Sequence, residues 1–266
     1  YFNYADFRKE FGDRKAKVIT AISMFYDLDE PNIFMSDIVA MLEKDGVFII
    51  QQNYLPMMLE WNAIDNVCHE HLAYYSLLTL ENLLARYNLE VFDVELNDIN
   101  GGSFRTYVRF EGSEIEQTEE AKVRLKGLRA NEQKMRVFDP KTYHKFSSRV
   151  KKNKKRFLSF VRKELQNEKK IYIYGASTRG NTAVQFYGID HRMVVAAVDK
   201  NPEKWGRKMA GSIPIIPLEH YRKERPDFLL VLPWHLLDEI NAQEENYFDS
   251  GGKFIVLMPT FRVISK

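Results

Sequence analysis

The fold class of this chain is decided by the stretch Lys170-Ile171-Tyr172-Ile173-Tyr174-Gly175-Ala176-Ser177-Thr178-Arg179-Gly180-Asn181. Its apolar run predicts a buried strand, and the glycine-containing loop that follows opens a helix. Further apolar runs at 194–198, 228–232 and 254–258 predict more strands of the same sheet. Strands alternating with helices predict a complete, doubly wound α/β unit, with ligands at the carboxyl ends of its strands.

The first half of the chain predicts another α/β unit. The β-branched stretch 17–23 reads as a buried strand, and 32–44 as a helix that begins near Pro31 and is capped by Gly46. A second strand follows at 47–50, which completes a parallel βαβ unit.

An antiparallel pair of strands is predicted at the edge of this first sheet. The strands lie at 89–96 and 103–110, and the turn Asn100-Gly101-Gly102 joins them. A polar helical stretch follows from 117 onward, so we place the domain boundary near 113–119. The predicted domains are therefore 1–116 and 117–266.

Composition excludes several classes of protein. With 266 residues, 45% of them apolar, the chain can bury a sizeable core, and a net charge of +2 calls for neither a nucleic acid nor a membrane partner. The lone cysteine, Cys68, excludes an intrachain disulfide and a cysteine zinc cage, and fits a cytoplasmic location. Residues 141–170 hold 12 Lys or Arg against 2 Glu, which we interpret as the solvated side of a packing helix; attraction of an anionic substrate is the alternative.

The pattern Gly175-x-Ser177-x-x-Gly180 imitates a dinucleotide fingerprint, and Asp199 lies at the end of the next strand. Ser177, however, replaces the glycine that normally lets the backbone approach a pyrophosphate. Binding of NAD, binding of another nucleotide's phosphates and a purely structural turn remain open. Trp234 follows another strand, where a ligand contact and packing at a helix start are both open.

The stretch Cys68-His69-Glu70-His71 concentrates titratable side chains in a predicted loop. A carboxylate beside an imidazole suits proton abstraction near neutral pH. The alternatives are a zinc site, a Cys68–histidine nucleophile and an ordinary polar loop. The two histidines are two positions apart in a non-helical stretch, which does not match the helical zinc-protease pattern, so we predict no metal here.

In these motifs the chain resembles the S-adenosylmethionine-dependent C-methyltransferases that act on nucleotide-linked keto-deoxysugars. The resemblance covers nearly the whole chain. The matching stretches are 18–21, 45–48, 68–77, 89–94, 101–105, 174–176, 180–182, 199–202, 232–234, 238–240 and 251–254.

The resemblance implies a zinc-binding N-terminal domain, a central class I methyltransferase (Rossmann-like) domain and a C-terminal Rossmann-like domain that helps to hold the nucleotide sugar. Residue 1 falls inside the central domain of this pattern, and the chain does not begin with methionine. We therefore expect an N-terminally truncated chain, with an incomplete cofactor pocket and zinc only in the absent domain. The expected fold is a partial methyltransferase sheet with an antiparallel edge, followed by a complete Rossmann-like domain.

The resemblance also implies the reaction and the residues that carry it. A methyl group goes from S-adenosylmethionine to a carbon next to the ketone, after deprotonation by a pair that maps onto Glu70 and His71. His69 is the competing base. Cys68 stands where relatives have a tyrosine that also takes part, and some relatives carry a histidine near Tyr26.

Binding residues are carried over in the same way. The segment that faces the cofactor maps onto Ile22, Ser23, Met24 and Tyr26. Predicted substrate contacts are Tyr54, Gly101, Gly102, Ser103, Arg105, Gly175, Ser177, Arg179, Gly180, Asn181 and Trp234, of which the 101–105 turn would close over a pyrophosphate.

Two other functions compete with this hypothesis. One is a nucleotide-sugar-binding fragment without catalysis, and the other is an NAD-dependent oxidoreductase, which depends only on the Gly175 loop and Asp199. In all three the partner is a small molecule. The residues do not specify which sugar, which nucleotide or which oligomeric state.

Overall fold

The computed structural model describes residues 2–265, which divide into two compact units. The first unit holds the described residues up to Met57 together with His69–Thr142. The second holds Met58–Cys68 together with the described residues from Tyr143 onward. The predicted domain ranges 1–116 and 117–266 stay a prediction, but the compact units differ from them because the helix that follows residue 117 belongs to the first unit.

Residues 2–139 of the described chain contain four strands and five α-helices. The strands are β1 (Ala16–Ile22), β2 (Leu42–Asn53), β3 (Leu89–Asn97) and β4 (Ser103–Phe110). The helices are α1 (Tyr4–Phe11), α2 (Pro31–Met41), α3 (Leu55–Glu60), α4 (Leu77–Leu84) and α5 (Glu119–Met135). The sheet order is β1-β2-β4-β3. As predicted, β1 and β2 are parallel and β3 and β4 are antiparallel; β4 also pairs antiparallel with β2.

The prediction that α2 runs to residue 44 and is capped by Gly46 is wrong. Leu42 already has an extended backbone and pairs with Ala16, so β2 begins directly after the helix. The pairing of β1 with β2 then jumps from Ala16–Leu42 to Val18–Val47. Gly46 lies in this irregularity, where a Cβ would come within 3.0 Å of the Ala16 carbonyl oxygen. The glycine is needed for close approach of two strands and not for a helix end.

A buried glutamate ties α5 to the first unit. Glu132 is fully buried and accepts hydrogen bonds from the Leu77 and Leu78 backbone N–H groups, at 2.5 and 3.0 Å, and from the Tyr54 hydroxyl at 2.8 Å. Its carboxylate therefore satisfies the first amides of α4, which otherwise lack partners. Leu125 and Leu128 of α5 join the same apolar core.

Between Pro140 and residue 265, the last one described, the chain contains seven strands and five α-helices. The strands are β5 (Ile171–Tyr174), β6 (Ala197–Asp199), β7 (Lys208–Met209), β8 (Ile213–Pro217), β9 (Phe228–Val231), β10 (Lys253–Val256) and β11 (Arg262–Ile264). The helices are α6 (Pro140–Gln166), α7 (Thr178–Tyr187), α8 (Leu218–Glu224), α9 (Leu237–Gln243) and α10 (Glu245–Asp249).

The strand order of the second sheet is β11-β10-β9-β5-β6-β8-β7, and the strands from β10 to β8 are parallel. Within this sheet the first strand in sequence is β5. The next strands, β6 and β8, lie on one side of β5, and β9 lies on its other side. The order therefore reverses between β5 and β9, and ligands of open α/β sheets bind at such a point. The α/β class is confirmed; the finer Rossmann-like description stays a prediction.

The long basic helix α6 has one buried face, formed by Phe146, Val150, Asn153, Phe157 and Val161. Most of its basic side chains lie on the exposed side. This is the arrangement predicted for a packing helix with a solvated charged face. No helix within residues 2–265 is long and apolar enough to cross a membrane.

Candidate functional site

The end of β1 positions the residues predicted to face the cofactor. Ser23 has a left-handed backbone (φ 53°), and its N–H donates to the Gln51 carbonyl at 2.8 Å. Its hydroxyl accepts from the Asn100 side-chain amide at 3.3 Å. Ile22 is exposed and Met24 is half-buried, so this segment presents a partly open surface at the carboxyl end of β1.

The loop that carries the predicted base lies against this segment. The backbone N–H groups of Leu72 and Ala73 both donate to the Tyr26 carbonyl, at 3.0 and 3.1 Å. The His71 ring meets the buried Tyr26 ring edge-on, with 4.5 Å between centroids. The structure thus brings together His71 and the predicted cofactor segment, which are more than forty positions apart in sequence.

The three acid–base residues of the loop differ in their surroundings. The His69 side chain is 85% exposed, and its Nε2 lies 4.0 Å from Oε1 of a half-exposed Glu70. His71 is partly buried. Burial and the nearby Glu70 carboxylate raise the pKa of the Asp27 carboxyl, which places a second acid close to Glu70. Sequence reasoning missed Asp27, although it stands directly after Tyr26.

Several predicted substrate residues of the first unit already hold structural contacts. The Tyr54 hydroxyl donates to Glu132, the Ser103 hydroxyl donates to the Ile99 carbonyl at 2.8 Å, and Arg105 Nε donates to Gln51 Oε1 at 2.9 Å. Arg105 nevertheless keeps part of its side chain exposed.

The Gly101-Gly102 turn is built for close packing. Both glycines have positive φ, 77° and 111°, and a Cβ on Gly102 would lie 2.8 Å from the Met57 Cβ. The Gly102 carbonyl accepts from the Tyr54 N–H at 3.1 Å.

Beside the same strand ends, Gln52 carries two buried polar atoms without a partner. The residue is fully buried in β2, and neither its Oε1 nor its Nε2 has a hydrogen-bond partner within the described chain. Burying such atoms unpaired costs about 1–3 kcal/mol each. A polar ligand at this end of the sheet would offset that cost, so the residues present fit a polar cofactor. Nothing in the sequence alone distinguishes Gln52 from its neighbour Gln51.

In the second unit, the glycine loop after β5 is shaped mainly by packing. Gly175 has φ 87°, and a Cβ on Gly180 would lie 3.0 Å from Leu232 Cδ1. The Ser177 hydroxyl accepts from the Gly180 N–H at 3.0 Å and thereby caps α7. Asn181 Oδ1 accepts from the Ala210 N–H at 3.0 Å.

Asp199 is bonded to its own surroundings. Its Oδ2 accepts from the Ala176 N–H at 2.8 Å and from Lys204 Nζ at 3.0 Å, and its Oδ1 accepts from the Asn201 N–H at 2.9 Å. Burial acts to raise the pKa of the Asp199 carboxyl, but these donors outweigh it and hold the pKa below its ordinary value. The acid that imitates a ribose-binding residue thus has three partners of its own, which weakens the NAD interpretation.

A cavity of about 180 Å³ lies at the carboxyl ends of β5 and β6. Its polar lining comes from Asp199, Lys200, Glu239 and Gln243, and its apolar lining includes Pro233 and Ile240.

Next to the glycine loop, Arg179 and Trp234 meet on one carboxylate that sequence reasoning did not select. Asp65 Oδ2 accepts from an Arg179 terminal nitrogen at 2.6 Å and from Trp234 Nε1 at 3.1 Å. Asp65 is 2% exposed. Burial raises the pKa of its carboxyl, and the Arg179 charge opposes that rise. Arg179 is 114 residues away in sequence, so no local pattern could have paired them.

Within residues 2–265, no group of three or more His, Cys, Asp or Glu side chains is placed to hold a metal ion.

Two family models match the sequence of this chain. Residues 2–94 match a model described as a methyltransferase domain, which gives the class of protein. Residues 98–259, more than half of the chain, match a model described as the C-methyltransferase C-terminal domain. The chain belongs to the C-methyltransferase family.

The similarity to one named relative agrees with this assignment. The chain is 29% identical over 251 residues to the C-methyltransferase NovU of Streptomyces niveus. The match covers 94% of this chain and 59% of NovU, so the chain spans less than two thirds of that relative. The solved structure of the mitomycin 7-O-methyltransferase MmcR is a weak match, with a TM-score of 0.29, 16% identity, and coverage of 38% of this chain and 31% of that one. A similarity at that level does not bear on the family assignment.

Proposed function

We propose that this chain belongs to an enzyme that transfers a methyl group from S-adenosylmethionine to a carbon next to the ketone of a nucleotide-linked keto-deoxysugar. The observation that carries the proposal is the contact between the His71 loop and Tyr26 at the carboxyl end of β1. It joins a candidate base to the segment that the family resemblance assigns to the cofactor.

In this proposal Ile22, Ser23, Met24 and Tyr26 hold the cofactor, and Gln52 fits a polar group beside them. When bound, S-adenosylmethionine supplies an electrophilic methyl group. The other contributions come from the side chains of the chain itself.

His71 acts as the general base. A ketone makes the neighbouring C–H acidic, but not acidic enough for water, and a positioned imidazole accelerates such a proton transfer by about 10²–10⁴. Tyr26 contacts the ring edge-on, and the family resemblance assigns Glu70 to the same deprotonation.

The nucleotide sugar is the proposed substrate and partner. Its proposed contacts in the second unit are Gly175, Ser177, Arg179, Gly180, Asn181 and Trp234. The resemblance also assigns Tyr54, Gly101, Gly102, Ser103 and Arg105 of the first unit to the substrate. The N-terminus of α7 supports a diphosphate, because helix N-termini favour anions. Two of these side chains already have partners within the chain. The buried Tyr54 hydroxyl donates to Glu132, and Arg179 is paired with Asp65, so their proposed contacts with the sugar are less direct.

The base assignment is tested by solvent deuterium exchange into the carbon next to the ketone of a nucleoside-diphosphate-linked keto-deoxysugar. This exchange needs the base and the sugar but no methyl donor. We expect His71→Ala to slow it by about 10²-fold or more, whereas His69→Ala, at the exposed neighbour, leaves it unchanged. Exchange that survives His71→Ala would refute the assignment, and loss only in His69→Ala would transfer the role to His69. Exchange in none of the proteins would favour a non-catalytic binding role.

A further inference from the structure

We propose that Asp65, Arg179, Trp234 and His235 form a subsite in the second unit that binds a neutral hydroxyl group of the ligand. This inference deepens the proposed function, on which it rests for the identity of the ligand. Neither Asp65 nor His235 belongs to the residues assigned above to substrate.

Two buried polar atoms near Arg179 have no partner in the described chain. Asp65 uses Oδ2 for both of its bonds, to Arg179 and Trp234, while its Oδ1 is buried and has no partner in the described chain. His235 Nδ1 is likewise buried and without a partner. Both side chains interact electrostatically with Arg179. A buried polar atom without a partner destabilises the fold, so a ligand that pairs with both atoms recovers that free energy.

The charges of the cluster largely cancel. Asp65 and Arg179 form an ion pair at 2.6 Å, so their charges offset each other. Burial and the adjacent Arg179 lower the pKa of His235 to about 4, so its imidazole is neutral at pH 7. A phosphate would meet no net positive charge here and could not donate to Asp65 Oδ1. A hydroxyl can donate its one proton to the carboxylate and accept a hydrogen bond from His235 Nδ1 in the tautomer that carries the proton on that nitrogen.

The cluster lies beside the ends of two neighbouring strands, β5 and β9. Arg179 stands at the start of α7, directly after the loop that follows β5, and Trp234 and His235 follow β9. The strand order reverses between these two strands, which is where open α/β sheets bind ligands. Trp61 packs edge-on against Trp234 at 5.9 Å and adds an aromatic wall. Arg179, His235 and Trp61 each keep part of their surface exposed, while the two unpaired atoms lie buried behind them.

The hydroxyl can come from the hexose or from the ribose of the nucleotide. The affinities of uridine diphosphate, 2′-deoxyuridine diphosphate and UDP-glucose, and of the corresponding thymidine ligands, distinguish these sources. For a hexose hydroxyl we expect the glucose conjugate to bind at least tenfold more tightly than the diphosphate, and Asp65→Asn and His235→Phe each to remove that advantage. For a ribose hydroxyl, the same variants remove the difference between the ribo and deoxyribo diphosphates instead. Asp190→Asn, which breaks an exposed ion pair with Arg192 in the same unit, is the control and should change neither.

A second readout separates this inference from the proposed function. The chain has three tryptophans, so the indole N–H signals of Trp61, Trp205 and Trp234 can be resolved by NMR. We expect free glucose, or free ribose if the hydroxyl comes from the nucleotide, to shift the Trp234 signal at high concentration and not the Trp205 signal, and Asp65→Asn to abolish the shift. If glucose shifts Trp234 but no nucleotide sugar binds, the nucleotide-sugar function is wrong and the subsite stands. If nucleotide sugars bind without moving Trp234, or if neither ligand has an effect, the subsite is refuted.

Discussion

At the scale of single residues, the protein keeps polar groups in places where they cost stability. Gln52, Asp65 and His235 each bury a polar atom that has no partner in the described chain. Native proteins usually satisfy such atoms, so exceptions indicate a functional requirement. All three lie next to residues that the family resemblance assigns to ligands.

Replacing Gln52 tests this trade-off. Gln52→Met keeps the length of the side chain and removes two unsatisfied atoms, so the free energy of unfolding should rise by about 1–2 kcal/mol. Urea denaturation measures the change. Gln51→Met is the matched control, because it removes the bond from Arg105 and should lower stability by about 1 kcal/mol. A less stable Gln52→Met protein would contradict the absence of partners.

His235 makes a second residue-scale prediction. The unfolded chain binds a proton at His235 near the ordinary pKa of 6.5, whereas the folded chain does so only at about 4, because burial and then Arg179 disfavour the charge. The unfolded state therefore holds more protons between these values, and stability falls as the pH drops from 6.5 toward 4.

The test for His235 compares the free energy of unfolding of the wild type and His235→Phe across that range. The variant should lose less stability on acidification, and Asp65 titrates in both proteins, so its effect largely cancels in the difference. Parallel pH curves would show that His235 is not buried as described. His144→Phe, at an exposed histidine of α6, should leave the curve unchanged.

At the scale of elements, the two faces of α6 have different roles. Phe157 is 1% exposed and meets Tyr187 edge-on at 5.5 Å, whereas Lys151 and Lys152 are exposed. We expect Phe157→Ala to cost about 3–5 kcal/mol. The double variant Lys151→Gln/Lys152→Gln should stay within about 0.5 kcal/mol of the wild type in thermal and urea unfolding. A large loss from the lysine variant would mean that the charges hold structure and do not merely face solvent.

The elements also show how far the sequence could lead. Strands with continuous apolar runs, such as β5 and β9, and the glycine turn between β3 and β4 were predictable because their signals are local. The end of α2 was not, since pairing of Leu42 with Ala16 decides it. The His71 loop was recognisable as a cluster of titratable residues, but its contact with Tyr26 depends on the tertiary fold. Asp65 could not be paired with Arg179, because nothing in either local sequence encodes a contact over 114 positions.

At the scale of the whole molecule, ligand binding should protect particular parts of the chain. We expect a nucleotide sugar to slow amide hydrogen exchange at 175–181 and around 234–235, because the proposed contacts lie there. Helix α1, which has no buried residues, should exchange equally fast with and without ligand. Mass spectrometry of the exchanged peptides measures this, and unchanged exchange at 175–181 under saturating ligand would contradict the substrate assignment.

The division of the chain has a consequence for its synthesis. Met58–Cys68 is made early but belongs to the second unit, most of which lies beyond Tyr143. At about 5–20 residues per second, the ribosome needs roughly 6–23 s to make the 114 residues from Asp65 to Arg179. Asp65 and Trp61 also contact Trp234, which is made later still, so this segment lacks its partners after synthesis of the first unit is complete. Slow or paused translation between these points therefore lengthens the time in which the nascent chain exposes this segment to chaperones and proteases.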